Sequence, residues 1–427
     1  MSKESNKRLA KNTLALYFRT FITLIVSLYT TRVILDVLGE TDYGIYSLVA
    51  GVVILFSFLN GALSYATERF LTVQLGKKNL QKMKQVFSMS MTTLFLLVVI
   101  FIILSETLGL WFVNSELNIP ADRLWAANWT YQLSIVTFCV TVLRTPYRAT
   151  IISNEKMSFF AYISVFESII KLAIVFCLQL STYDKLVSYA TLFLMSTFLV
   201  NLIYFFYCKR IFFTTNYHIF WDKKLFIELT SFTGWNLLGN VTNIFTQNGV
   251  VFMVNIFYGV GLNASLGIAN QVNSAVTSFI SGFQTSFVPQ IVKLYSQSKT
   301  DELHKMINST SKFSFMLIAF PVLILMFNMP LILNLWLDVV PEYTVEFCLW
   351  IVAGSLIDAT TGPYYAGIMA NGDIKRYQIA ISLSFLLDFI IIFILLRLGV
   401  SPAWIFISRI LTRGIINMLI GLYYLKI

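Results

Sequence analysis

The chain has 427 residues, 57% of them hydrophobic and only 12% charged, with a mean hydropathy of +0.74. That is about half the charge of a soluble domain, and apolar runs near twenty residues follow one another, which excludes an ordinary soluble protein and implies a polytopic membrane protein. The formal charge of +10 is then read first as topology bias, and not as affinity for nucleic acid.

A basic start with Lys3, Lys7, Arg8 and Lys11 precedes an apolar run from Leu14 to Leu38. Its length and its internal Arg19 and Arg32 make it a retained helix, not a cleaved signal. Further spans are predicted at 43–66, 86–106, 124–145, 159–178, 186–207, 230–257, 266–288, 313–335, 345–368, 378–398 and 403–425. The expected architecture is therefore all-α, with about twelve transmembrane helices.

An even number of spans puts both termini on one side. The termini and the loops on that side carry 22 Lys and Arg, against three on the other (Arg123, Lys185, Arg397). By the positive-inside rule both ends are expected in the cytoplasm.

Pro146, Tyr147, Ala149, Ile151 and Asn154 recur as Pro363, Tyr364, Ala366, Ile368 and Asn371, displaced by 217 positions. Each copy closes an apolar segment and crosses a short basic connection into the next, so the chain reads as a duplication. With six spans per half the repeats are parallel, related by an axis along the membrane normal. The expected organisation is a six-helix lobe over 1–207, a basic and aromatic cytoplasmic linker over 208–224, and a second lobe over 225–427. No loop is long enough to fold as a separate domain.

Polar residues line one face of four spans. The seventh carries Asn236, Asn240, Asn243 and Gln247 at helical spacing, and the eighth Asn270, Ser274, Thr277, Ser281 and Gln284. In the first half, span one has Arg19, Thr23 and Thr30, and span two has Ser57, Asn60, Ser64 and Thr67. One such stripe is most often glue between membrane helices. Four at equivalent repeat positions favour a central water-filled cleft, whose amides and hydroxyls suit a sugar, and there Asn243 is expected to have no obligatory protein partner.

Charges inside spans are costlier. Snorkelling to the interface accounts for Arg144. Glu167 and Lys171, at i and i+4, are expected to neutralise each other. Arg409 and Arg413, one turn apart on the last span, are expected behind the cleft in a structural role, satisfied by Asp358 or Asp388.

The four cysteines and two histidines show no metal or disulfide spacing, so no metal or cofactor is expected. Gly76, Lys77 and Lys78 lack the rest of a phosphate-binding loop, which argues against direct ATP drive. Enzyme chemistry has little to stand on.

Arg32, Leu38, Gly39, Tyr43, Gly44 and Tyr46, followed by Arg69 and Phe70, resemble the polysaccharide transporters of the multidrug/oligosaccharidyl-lipid/polysaccharide (MOP) superfamily. The likeness is to O-antigen flippases and lipopolysaccharide-biosynthesis exporters. Gly267, Ile268, Asn270, Pro289 and Gln290 extend it through the second half. The resemblance implies MATE-like lobes arranged in a V, rocking about a cationic cleft that moves an undecaprenyl-pyrophosphate-linked oligosaccharide across the bacterial inner membrane. The substrate-binding set is then Arg19, Arg32, Arg69, Asn60, Asn236, Asn240, Asn243, Gln247, Asn270 and Gln284, with the arginines holding the pyrophosphate. The implied partners are the lipid-linked oligosaccharide, membrane lipids, and the polymerase and glycosyltransferases of the same synthesis. Many relatives continue for two further spans beyond the point where Ile427 stands here, so the chain is a twelve-span member or lacks its end. A MATE-type drug or cation antiporter and a membrane-embedded glycan-processing enzyme are the competing readings.

Overall fold

The structure is a computed structural model that describes residues 3–54, 57–115, 119–179, 182–258, 260–337 and 340–425. Helices account for nearly all of the described residues, and no strand occurs among them. In chain order they are α1 (Lys3–Ile54), α2 (Ser57–Gly76), α3 (Leu80–Leu104), α4 (Leu110–Ser115), α5 (Leu124–Leu143), α6 (Thr145–Ser153), α7 (Met157–Gln179) and α8 (Lys185–Ile211). The second half supplies α9 (Lys223–Tyr258), α10 (Val260–Ser296), α11 (Thr300–Trp336), α12 (Thr344–Asn371), α13 (Lys375–Arg397), α14 (Ala403–Arg409) and α15 (Asn417–Leu425).

Eight helical stretches among the described residues are long and apolar enough to cross a bilayer. The other predicted spans fall on α1, α2, α9 and α10, the helices with the polar faces. Within α1 the predicted break between spans one and two is Gly39, at φ 77° and ψ 168°, a conformation open essentially to glycine alone.

The chain divides into two compact units, Ala10–Thr230, and Ser231–Ile427 together with Met1–Leu9. Within the first, a core of Leu16, Phe87, Tyr147, Ile151 and Phe160 joins the starts of several helices. Within the second, Val250, Val322, Phe347, Val352, Ile392 and Phe406 form a continuous core. The repeated motif plays the same part in both: α2 packs on α6 as α10 packs on α12. Each copy ends in a left-handed residue after its Asn, Glu155 at φ 58° and Gly372 at φ 88°, which stops the helix and turns the chain.

Asn79 and Asp184 cap α3 and α8 by accepting the Lys82 and Val187 N–H groups at 2.9 and 3.1 Å. Between α8 and α9 the chain lies on α3. His218 Nδ1 is 2.9 Å from Ser88 Oγ, Tyr217 Oη is 3.3 Å from Thr92 Oγ1, and Lys84 sits over the Phe213 ring. Cys208 and Cys348 are buried as packing residues, and all four cysteines are free.

Two stretches depart from α geometry. Ser105–Gly109 and Ile410–Ile416 are wound as π-helix, a form in which hydrogen bonds reach one residue further and which recurs at functional sites. In the first, the Tyr131 hydroxyl donates to the Ser105 carbonyl at 2.9 Å, a close approach that a Cβ on Gly109 would block.

Candidate functional site

The second π segment builds the most elaborate polar cluster in the C-terminal unit. Asp388, on α13, has no exposed surface, and such a carboxylate must be paired to be tolerated. The wider winding of Ile410–Ile416 supplies two donors, Thr412 and Arg413, and the end of α14 a third, Arg409. Arg413 Nε donates to Asp388 Oδ2 at 2.8 Å, Arg409 Nε to the same oxygen at 3.4 Å, and Thr412 Oγ1 to Oδ1 at 2.6 Å.

The Arg413 fork then reaches a third element. Its Nη1 donates to Asn243 Oδ1 at 2.8 Å and its Nη2 to Thr246 Oγ1, both on α9. Its face lies over the Phe385 ring at 4.6 Å. Only a planar guanidinium can satisfy a carboxylate on one edge and two neutral acceptors on the other, so a lysine could not replace it here. Gln247 joins the set by donating to Asn243 Oδ1 at 3.2 Å.

Two cavities open beside this cluster. One, of about 360 Å³, is lined by Gln247, Asn270, Asn273, Ser274, Arg409 and Asp358 among others. The second, of about 380 Å³, is lined by Ser281, Gln284, Tyr365, Asn417 and Thr361 among others. Arg413 and Asp358 border both. Gln284 lies so close over Gly362 that a side chain there would displace its amide. Two guanidiniums and two carboxylates balance, leaving a neutral surface of amides and hydroxyls that can donate to and accept from a polyol.

The expected site residues divide accordingly. Asn243, Gln247 and Asn270 stand at the first cavity or its Arg413 wall, and Gln284 at the second. Asn240 is exposed. Asn236, on the same face of α9, is 3% exposed and accepts from Tyr365 Oη at 3.1 Å and Gln378 Nε2 at 3.3 Å, a helix-to-helix contact. In the N-terminal unit, Arg19 lies over the Phe160 ring at 4.7 Å, and Arg69 over Phe70 at 4.9 Å. Arg32 and Asn60 are helical, but their side chains fall outside the described residues.

Three expectations are corrected. Asn243 does have a protein partner, the Arg413 guanidinium. Arg409 and Arg413, though paired with Asp388 as foreseen, are not set apart from the amide face: they complete it. Glu167 is not neutralised by Lys171 alone: Arg144 also meets it at 3.3 Å and lies over Tyr204, so Glu167 is shared between Arg144 and Lys171. The signal for Arg413 was its one-turn spacing from Arg409 at a depth where neither charge could reach water.

Among the described residues no group of three His, Cys, Asp or Glu could hold a metal ion. The sequence profile of the family described as "Polysaccharide biosynthesis protein" matches residues 9–295. No curated protein matches the chain. Solved structures similar to it include a point mutant of MATE, at 14% identity and TM-score 0.85, covering 100% of this chain and 99% of that one. An outward-facing multidrug resistance MATE family transporter of the MOP superfamily follows at 14% identity and TM-score 0.81, covering 100% and 98%. A third, from Pyrococcus furiosus, is a MOP superfamily transporter described as having a binding pocket of reverse polarity suggestive of a different function. It is 11% identical with TM-score 0.79, covering 100% and 99%. At these identities the structures establish the fold alone. The profile match covers more than half the sequence, and the chain therefore belongs to the polysaccharide biosynthesis protein family, as a polytopic all-α membrane protein with the fold of the MOP superfamily transporters.

Proposed function

We propose that this protein is a flippase that carries an undecaprenyl-pyrophosphate-linked oligosaccharide, an O-antigen or capsular repeat unit, across the bacterial inner membrane by alternating access of its two lobes. The observation that carries the reading is the pair of cavities in the C-terminal unit. Their charges are balanced internally, and Gln247, Asn270, Asn273, Ser274 and Gln284 offer them paired donors and acceptors. A sugar presents the complementary pattern without requiring any change of charge. Membership of a polysaccharide biosynthesis family agrees with that chemistry. The pyrophosphate is assigned to arginines of the N-terminal lobe, Arg19, Arg32 and Arg69, because a guanidinium holds phosphate oxygens in pairs and stays charged. Both termini are placed in the cytoplasm, so that cargo enters from the side on which it is made.

A drug or cation antiporter is the second reading, and one observation favours it: Asp358 presents a carboxylate to both cavities. The Pyrococcus furiosus neighbour, with its pocket of reverse polarity, illustrates that pocket chemistry and not fold selects the cargo.

Proteoliposomes loaded with a fluorescent lipid-linked oligosaccharide separate the readings. Translocation that is abolished by Arg32→Ala or Arg69→Ala, and partly restored by Lys at the same position, is the expected result. Ethidium transport with no movement of the lipid-linked sugar would establish the antiporter instead.

A further inference from the structure

The duplication allows a comparison of one contact in its two versions. In the C-terminal unit Asn236 of α9, Tyr365 of α12 and Tyr377 of α13 meet: the Tyr365 hydroxyl donates to Asn236 Oδ1 at 3.1 Å, and the two rings lie 6.0 Å apart. All three are uncharged, Asn236 and Tyr377 are buried, and Gln378 closes the group with a further hydrogen bond. Subtracting the repeat displacement of 217 gives Arg19, Arg148 and Phe160. These three also meet, in the N-terminal unit, on α1, α6 and α7. Arg19 lies 4.7 Å and Arg148 5.2 Å from the centre of the same Phe160 ring.

The neutral version shows that the fold needs no charge at this junction. The N-terminal version nevertheless places two guanidiniums on one ring. Neither forms an ion pair among the described residues, and Arg19 Nε is buried with no hydrogen-bond partner. The nearby carboxylates do not answer them. Glu167 is taken by Arg144 and Lys171, and Glu68 on α2 acts on Arg148 only through space. Arg148 is exposed and Arg19 half-buried, and two like charges held over one ring repel each other unless an anion joins them. Phe160 supplies a platform that holds both planes, leaving N–H edges free for the paired oxygens of a phosphate.

We propose that Arg19 and Arg148, set on Phe160, form a binding site for a phosphate oxyanion. The pyrophosphate of a lipid-linked cargo and the phosphodiester of an anionic lipid headgroup share that chemistry; assigning the site to cargo rests on the flippase reading above, whereas the anion site does not. On the flippase reading, Arg148 is a cargo-contacting residue beside Arg19.

The test uses the full chain in nanodiscs of phosphatidylcholine, titrated with inorganic pyrophosphate. Saturable binding is expected, with Arg148→Gln and Arg19→Gln each weakening it about tenfold or more, as loss of a charge-assisted pair of hydrogen bonds requires. The double variant Arg19→Asn with Arg148→Tyr installs the residues of the C-terminal version. It is expected to melt at or above the wild-type temperature and to bind no pyrophosphate. Competition by undecaprenyl diphosphate supports the cargo source, and competition by phosphatidylglycerol added to the nanodisc supports the headgroup source. Absence of saturable binding to the wild type, or unchanged binding in the well-folded double variant, overturns the site. If pyrophosphate binds as expected but wild-type proteoliposomes move no lipid-linked sugar, the flippase reading falls and the anion site stands.

Discussion

Arg413 and Asp388 meet at 2.8 Å between the last helix and α13, with the carboxylate wholly buried and a second guanidinium, that of Arg409, on the same oxygen. Removing the acid strands two cations. Asp388→Asn is expected to destabilise the protein by about 3 to 5 kcal/mol, the range for breaking a buried pair from one side. Thermal melts in detergent would show it, and Arg409→Gln added to Asp388→Asn should recover part of the loss. An unchanged melting temperature in Asp388→Asn would mean that the pair contributes nothing.

Asn243 and Asn240 lie about one turn apart on α9 but differ in what they hold. Asn243→Leu deprives the Arg413 guanidinium of an acceptor and is expected to cost about 1.5 to 3 kcal/mol, as for hydrogen bonds to charged groups. Asn240→Leu, at an exposed position, should leave the melting temperature within a degree or two, since surface substitutions of this kind stay near ±0.5 kcal/mol. Equal destabilisation by the two would contradict the geometry.

Water access can be read by thiol labelling. Cysteines replacing Asn240, Gln247 and Asn270 are expected to react with a membrane-impermeant maleimide in purified protein, and a cysteine replacing Asn236 to be protected by Tyr365 and Gln378. In intact cells a cysteine replacing Lys78 should be protected from outside. Labelling there would invert the proposed topology.

Asp184, in the connection before α8, gives a pH signature. Burial raises its pKa, but the hydrogen bonds from Arg123 at 2.5 Å and from the Val187 N–H outweigh burial, and the net value is depressed. A depressed acid contributes stability above its unfolded pKa, about 3.9, and loses it as pH falls through the folded value. Asp184→Asn should therefore melt below the wild type at pH 7, with the gap narrowing progressively as pH falls below about 3.9. A gap independent of pH would assign the effect to the helix cap alone.

The membrane spans were legible because hydrocarbon demands uninterrupted apolar runs, and the predicted 159–178 and 186–207 lie within α7 and α8. Helix ends were less so. α11 begins at Thr300, well before the predicted 313, because a helix that leaves the bilayer keeps its ladder while its side chains turn polar. Asp388 could be matched with Arg409 and Arg413 from charge balance. The link from Arg413 to Asn243 joins positions 170 residues apart, which periodicity along one helix cannot reveal. Arg148 was hidden for another reason: a basic residue near a span's end looks like topology bias until its partners are seen.

The π segments carry one more consequence. Ser105–Gly109 corresponds through the repeat displacement to a stretch of regular α11, and Ile410–Ile416 to a stretch of regular α8. Neither irregularity is mirrored in the other half, although the motif of Pro146 and Pro363 is. The two halves are therefore equivalent at the motif and unlike at these turns, and the loosened turn that presents Arg413 is particular to the C-terminal half.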